Sequence, residues 1–365
     1  MKGNNYFELL RFSIRGVDMK FGVLPRIKLA NLPTPLQEAS NLSKVLDEPR
    51  ILVKRDDLTG LALGGNKTRK LEFLMADAVR KGTNFIVTGA GFQSNWCTQA
   101  AAAARRLGMG CVLIKSGPLD GYDPGDYDGN HLLHFLMGAV IKVATRGNIE
   151  KVYEETMVEL KEKGFHPYLL SAAGSTPLGV MGYVNTVLEL TSQAVEKGIK
   201  IDYIIHATGS GGTMAGLVLG AKAFNTGIEV IGAAVSPGKE RMEKLVIGLV
   251  KESAEYLGVD LIFNEKEIRV YDEYAGPGYG ILTNEKAEAV KMVAETEGLF
   301  LDPVYTGTSM AALIGLSREG FFKSDDTVVF IHTGGSAALF PYKEPLKAYG
   351  RGSPLSLWTP PWSVY

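Results

Sequence analysis

The chain has 365 residues, of which 45% are hydrophobic and 22% charged, and its formal net charge is −1. That length allows two domains with real cores, and the balanced charge excludes a nucleic-acid partner bound through a basic face. There is no apolar leader core and no run of about 18 uncharged apolar residues, and Cys97 and Cys111 are too few for a disulfide framework, so the expectation is a soluble cytoplasmic protein with free thiols and no membrane contact.

Glycine is in excess, 43 of 365 residues, against a usual share of about 7%. The first 50 residues carry little periodic signal. From about residue 64 helix-like and strand-like segments alternate. Leu71, Leu74, Met75, Ala78 and Val79 recur at helical spacing, and Gly82 ends that helix. Residues 85–87 read as a buried strand, and residues 95–107 as an alanine-rich helix stopped by Gly108. Strand 111–114, helix 128–137, strand 140–143, helix 148–163 and strand 168–170 follow. The pattern then repeats. Helix 178–197 leads to strand 203–207, a helix from Thr213, strand 230–235 and a last strand at 327–332. Strands alternating with helices of this length predict parallel sheets covered on both faces, in two α/β blocks divided near 175–185. The tail, 351–365, carries Pro354, Trp358, Pro360, Pro361 and Trp362, and reads equally as a docking segment or a flexible end.

Five short motifs fall at strand ends, where ligands of open α/β sheets bind. Thr208-Gly-Ser-Gly-Gly-Thr213 follows a buried strand and opens a helix. Backbone N–H groups, helix dipole and hydroxyls make an anion site suited to phosphate. It lacks the Lys-Ser/Thr of a P-loop, and Met214 stands where a dinucleotide fingerprint needs glycine. Gly64-Gly-Asn-Lys67-Thr-Arg69-Lys70 puts Lys67 at a helix N-terminus, an unfavourable place for a cation that would lower its titration and free an amine for imine chemistry. An exposed first-turn lysine is the plainer alternative, and Arg69 and Lys70 read as solvated or salt-bridged. In Gln93-Ser94-Asn95-Trp96 the polar pair can hold a carboxylate or phenolic oxygen, or merely cap the helix. Asp302-Pro-Val-Tyr305-Thr306-Gly-Thr308 offers a tyrosine hydroxyl. His332-Thr333-Gly-Gly follows the last strand, with Thr333 able to meet a ring nitrogen and His332 read as a core histidine. His131 and His134 are spaced i, i+3 without a third ligand nearby, so no metal site is expected.

Taken in order, these five motifs resemble the D-cysteine desulfhydrase and 1-aminocyclopropane-1-carboxylate (ACC) deaminase family. That family lies among the tryptophan-synthase-β-like, fold type II enzymes that use pyridoxal 5′-phosphate. The resemblance runs from Leu32-Pro-Thr-Pro-Leu36 to Phe340. It implies an α/β fold of two open twisted parallel-sheet domains with the active site between them. The small domain would be 64–177, and the large cofactor-binding domain 1–63 with 178–365. It also implies a homodimer acting on a small amino acid. Lys67 would carry the cofactor as a Schiff base and move the α-proton. Thr208, Gly209, Ser210, Gly211, Gly212 and Thr213 would cradle the phosphate, Asn95 would meet the 3′-oxygen, and Thr333 the pyridine nitrogen. Ser94 and Asn95 would hold the substrate carboxylate, with Trp96, Tyr279 and Tyr305 as further substrate contacts. Lys67, Ser94, Tyr279 and Tyr305 form the catalytic set.

The activity implied is β-elimination from D-cysteine to pyruvate, hydrogen sulfide and ammonia. ACC deamination and L-cysteate desulfonation are the alternatives. The deaminase pattern has Tyr-Glu where this chain has Tyr305-Thr306, which favours the desulfhydrase branch. Trp96, Cys97, Gln99 and Thr308 depart from the familiar pattern and leave room for a different β-substituted substrate.

Overall fold

The computed structural model describes residues 13–14, 17–18, 20–47, 49–117, 125, 127–261, 263–352 and 355. The prolines and tryptophans of the tail lie outside the described residues. The strands are β1 (Ser13–Ile14), β2 (Val17–Asp18), β3 (Leu36–Glu38), β4 (Arg50–Lys54), β5 (Phe85–Ala90), β6 (Gly110–Ser116), β7 (Val140–Ala144), β8 (Pro167–Leu169), β9 (Tyr203–Thr208), β10 (Glu229–Ala234), β11 (Arg269–Tyr271) and β12 (Thr327–Ile331). β1 and β2 form a short antiparallel ribbon. A six-stranded sheet runs β11-β10-β9-β12-β4-β3, and a four-stranded sheet runs β7-β6-β5-β8. Every pairing in the two larger sheets is parallel except β3 with β4. The expected α/β fold of two parallel-sheet domains is therefore present.

Side chains alternate across a strand, so each row of the large sheet serves one face. Val230, Ile204, Val329 and Leu52 are mutual register partners. They face a core shared with helices Pro177–Lys197, Gly212–Ala223 and Lys239–Leu257. The next row, Ile231, Ile205, Phe330 and Val53, faces the other core, covered by helices Asn284–Glu297 and Thr306–Arg318. The predicted strands beginning near 85, 111, 140, 168, 203, 230 and 327 all form. Strands β3, β4 and β11 carry no such signal; β4 lies beside β12, β3 is the antiparallel edge beside β4, and β11 is the opposite edge beside β10.

Helix Asn66–Arg80 divides its sides between the two domains. Phe73 enters the core of the six-stranded sheet, whereas Leu71, Leu74, Met75 and Ala78 pack with the four-stranded one. Val79 belongs to neither, being 44% exposed, so the expected apolar stripe is narrower than its spacing implied. The helix stops where Gly82 takes φ +69°, a left-handed conformation that glycine adopts without steric cost. Gly108, at φ +72°, ends helix Asn95–Arg106 in the same way.

Candidate active site

A cavity of about 210 Å³ opens at the carboxyl ends of β5, β9 and β12. Its wall includes Lys67, Ser94, Asn95, Trp96, Thr208, Gly209, Ser210, Gly211, Thr213, Tyr279, Tyr305 and Thr333. The structure thus brings together every sequence-predicted site residue but Gly212. That glycine opens helix Gly212–Ala223 just behind the wall. Asn66 and Ser236 also line the cavity and had no assignment from the sequence.

Two helix starts converge on the cavity. Asn66 Nδ2 donates to Thr213 Oγ1 at 3.1 Å, tying the start of helix Asn66–Arg80 to that of helix Gly212–Ala223. The Asn66 backbone N–H donates to the Thr333 carbonyl at 3.1 Å, and the Thr68 N–H and hydroxyl both donate to Gln99 Oε1 at 2.7 Å. Lys67 therefore projects from a turn fixed on three sides. Burial lowers its titration to about 8. This sharpens the sequence argument, because loss of solvent around the amine, rather than the helix dipole alone, disfavours the charge.

The turn at 208–213 has the shape of an anion cradle. Gly211 sits at φ +74°, a left-handed conformation that glycine adopts without steric cost, and the Gly212 N–H closes the turn on the Ser210 carbonyl at 2.9 Å. A Cβ on Gly212 would come within 2.5 Å of Ser175 Oγ and 2.9 Å of Lys70 Nζ. Lys70 is fully buried, and its amine donates to the Ala173 carbonyl at 3.3 Å. Burial, and then repulsion from Lys67, lower its titration strongly. The expectation that Lys70 is solvated or salt-bridged is overturned. A buried amine without a carboxylate among the described residues, set against a glycine turn and a helix N-terminus, suits a phosphate dianion whose charge would restore its proton. Its signal in the sequence was the i, i+3 spacing from Lys67, which places both amines on one helix face.

Arg69, in contrast, is salt-bridged. It pairs with Asp56 at 2.7 Å and Glu189 at 2.9 Å, and all three side chains are buried. It belongs to the scaffold beneath the cavity.

Ser94 caps helix Asn95–Arg106, its Oγ accepting from the Cys97 N–H at 3.2 Å, while the residue still lines the cavity. Trp96 Nε1 donates to Thr88 Oγ1 at 2.8 Å, which fixes the indole in the wall. The Tyr279 and Tyr305 hydroxyls are 2.7 Å apart. Tyr279 is 46% exposed overall, and partial loss of solvent pushes its hydroxyl up to about 12. Burial raises Tyr305 as well, with Tyr279 adding to the effect. Both remain neutral hydroxyls near neutral pH.

The departures from the family pattern lie mostly behind the wall. Cys97, Gln99, Thr306 and Thr308 are buried and do not line the cavity. Thr306 Oγ1 donates to Asp302 Oδ1 at 2.8 Å, and Thr308 Oγ1 to the Val304 carbonyl at 2.7 Å. His332 accepts from the Gly334 N–H at Nδ1 and reaches the Phe300 carbonyl from Nε2, the arrangement of a satisfied core histidine.

Known proteins resemble this chain over most of its length. Residues 27–334 match the family described as pyridoxal-phosphate dependent enzyme. A Pyrococcus abyssi protein named "Putative 1-aminocyclopropane-1-carboxylate deaminase" is 40% identical, the match covering 90% of this chain and 97% of that one. A Salmonella newport D-cysteine desulfhydrase is 39% identical over 87% of this chain and 96% of its own. The crystal structure of an ACC deaminase homologue superposes with a TM-score of 0.82 at 38% identity, covering 90% of this chain and 98% of that one. A threonine deaminase from Solanum lycopersicum shares the fold at 16% identity, with a TM-score of 0.57 over 86% of this chain and 89% of its own. On the family match and these relatives, the chain belongs to the pyridoxal-phosphate dependent enzymes of the ACC deaminase and D-cysteine desulfhydrase type.

Proposed function

We propose that the chain eliminates the β-substituent of a small amino acid, with D-cysteine giving pyruvate, hydrogen sulfide and ammonia on hydrolysis. The observation that carries this reading is the position of Lys67. It lines one cavity together with the 208–213 turn, Ser94, Tyr279 and Tyr305. Bound pyridoxal phosphate supplies the electron sink that makes Cα–H acidic. The chain's own residues do the rest. Lys67 anchors the cofactor and, once released, takes the α-proton. Thr208, Gly209, Ser210, Gly211, Gly212 and Thr213, helped by Lys70, hold the phosphate. Asn95 meets the ring oxygen, and Thr333 meets the ring nitrogen. Ser94 and the Asn95 backbone hold the substrate carboxylate against the wall that Trp96 stiffens. Tyr279 and Tyr305 stand on the leaving-group side as neutral proton donors.

The division into 64–177 and the remainder is part of the same reading, as are a homodimer and a cytoplasmic setting. Two names among the relatives keep ACC as the second reading. Against it stands residue 306. Opening the ACC ring has to proceed without an α-hydrogen. Here the side chain next to Tyr305 is Thr306, spent on Asp302. Asp302 in turn accepts from the Val304, Tyr305 and Thr306 N–H groups, which occupies its carboxylate. L-Cysteate remains a candidate substrate of the same elimination.

The test is a panel of D-cysteine, L-cysteine, L-cysteate and ACC given to the holoenzyme, with sulfide, sulfite, pyruvate and 2-oxobutyrate measured. Sulfide and pyruvate from D-cysteine support the reading. 2-Oxobutyrate from ACC, with D-cysteine inert, overturns it.

A further inference from the structure

Asn95 opens its helix at the cavity wall, and Asn130 holds its amide from behind. Asn130 Nδ2 lies 2.7 Å from Asn95 Oδ1 and 3.2 Å from the Gln93 backbone carbonyl. A backbone carbonyl only accepts, so the Asn130 atom facing it is the amide nitrogen and Asn95 Oδ1 is the acceptor. On its other side Asn130 Oδ1 accepts from Thr98 Oγ1 at 2.7 Å. Thr98 Oγ1 is also 2.9 Å from His134 Nε2 and 3.3 Å from the Ser94 carbonyl, a longer contact than the 2.7 Å one to Asn130, which therefore takes its proton. The threonine hydroxyl has one proton. Once that proton goes to Asn130, the oxygen accepts from His134, which must carry its hydrogen on Nε2.

Burial, with Lys115 and His131 adding to it, lowers the His134 titration well below the ordinary value. Its Nδ1 has no hydrogen-bond partner among the described residues. A proton there would be a buried orphan donor, so the neutral Nε2–H form is the one the site holds. Asn130, Thr98 and His134 are each no more than 3% exposed. The direction of every bond is then fixed: His134 donates to Thr98, Thr98 to Asn130, and Asn130 to Asn95. With Oδ1 occupied, Asn95 presents its NH₂ group. That group packs beside Gly335, where a Cβ would come within 2.8 Å of Nδ2, two residues beyond Thr333 of the cavity wall.

We propose that Asn130, ordered by Thr98 and His134, is a positioning residue that sets Asn95 to donate its amide N–H to the ring oxygen of the cofactor. The inference rests on the placement of Asn95 beside that oxygen in the reading above. A chain of one-way hydrogen bonds removes the alternative amide orientation, which would put a carbonyl oxygen against an oxygen. The helix start at 94–97 does not need that orientation, since Ser94 already caps it.

The decisive variant is Asn130→Asp, which keeps size but cannot donate. Its carboxylate would face Asn95 Oδ1 and the Gln93 carbonyl, and Asn95 would have to turn over. In the holoenzyme the visible absorption band of the bound cofactor is expected to shift. The Kd for pyridoxal phosphate should rise about three- to tenfold, the worth of one hydrogen bond, and kcat should fall more than KM rises. Thr98→Val, which keeps shape and removes one hydroxyl, should move band and Kd the same way by less. Should Asn130→Asp fail to fold, Thr98→Val carries the test alone. A wild-type band position and Kd in the folded variants would overturn the proposal and leave the assigned activity standing. A wild-type protein that takes up no cofactor would overturn both.

Discussion

Lys70 Nζ would lie 2.9 Å from a Cβ placed on Gly212, the first residue of the helix that the 208–213 turn opens. The Lys70 amine thus takes the space that only a glycine leaves open. No carboxylate among the described residues pairs with it. Replacing it with methionine removes a desolvated amine and fills much the same volume, so the apoprotein should be as stable as the parent or more so. Cofactor binding should suffer instead. Losing a charged hydrogen bond to phosphate predicts a Kd for pyridoxal phosphate raised about ten- to hundredfold in Lys70→Met. Titration of the apoprotein, followed by absorbance, checks this. Gly212→Ala should weaken binding as well, because its methyl would displace Lys70 and Ser175.

The Lys67 amine predicts a pH dependence with a definite sign. Its titration is about 8 in the folded chain and near the ordinary 10.5 when unfolded. Below about pH 8 the lysine is charged in both states, and folding bears the full cost of burying it. Between about 8 and 10.5 only the unfolded chain holds the proton, so this contribution to stability rises with pH. Lys67→Met should therefore stabilise the apoprotein at pH 7, and the advantage should shrink towards pH 10. Urea midpoints of the two proteins across that range measure it. An advantage constant with pH would contradict the burial argument.

Beneath the cavity Arg69 joins Asp56 and Glu189, while Lys54 pairs with Glu189 from β4. The cost of burying Glu189 is outweighed by Arg69 and Lys54, which hold its titration at about 2. Its ordinary value is 4.5. The stabilisation is complete above about pH 4.5 and is lost as pH falls towards 2. Arg69→Met leaves two buried carboxylates short of a partner and should cost about 3–5 kcal/mol in urea unfolding.

Tyr279 and Tyr305 share a 2.7 Å hydroxyl contact, so removing one hydroxyl takes that contact from the other. Tyr305→Phe and Tyr279→Phe should keep the cofactor's visible band and lower kcat by about 10²–10⁴-fold, the range for losing a positioned proton donor. The double variant should be little worse than the weaker single one, because the pair acts as a unit. Steady-state kinetics on the three variants checks this.

Much of this architecture was legible in the sequence because it rests on local signals. Apolar runs bounded by glycines marked β5, β6, β9, β10 and β12, and the strand–glycine turn–helix pattern marked the cradle at 208–213. What escaped depended on contacts distant in sequence. β4 carries Arg50 and Lys54 at its ends and is a strand because β12 pairs along it. Lys70 shares a helix face with Lys67 in the sequence, but its burial appears only once helix Gly212–Ala223 lies over it. Asn130 reads as an ordinary first-turn residue, and its relation to Asn95 exists only once helix Gly129–Leu136 packs against helix Asn95–Arg106. Thr306 and Thr308 are polar residues in an apolar layer, and their hydroxyls are satisfied inside their own turn of chain.

The most direct test of the central claim is the absorbance spectrum of the purified protein after addition of pyridoxal phosphate, recorded beside Lys67→Ala. The account predicts a visible band in the wild type that persists through desalting, is absent from Lys67→Ala, and changes at once when D-cysteine is added. A wild-type protein with no retained band, or a Lys67→Ala protein that keeps the same band, would contradict it.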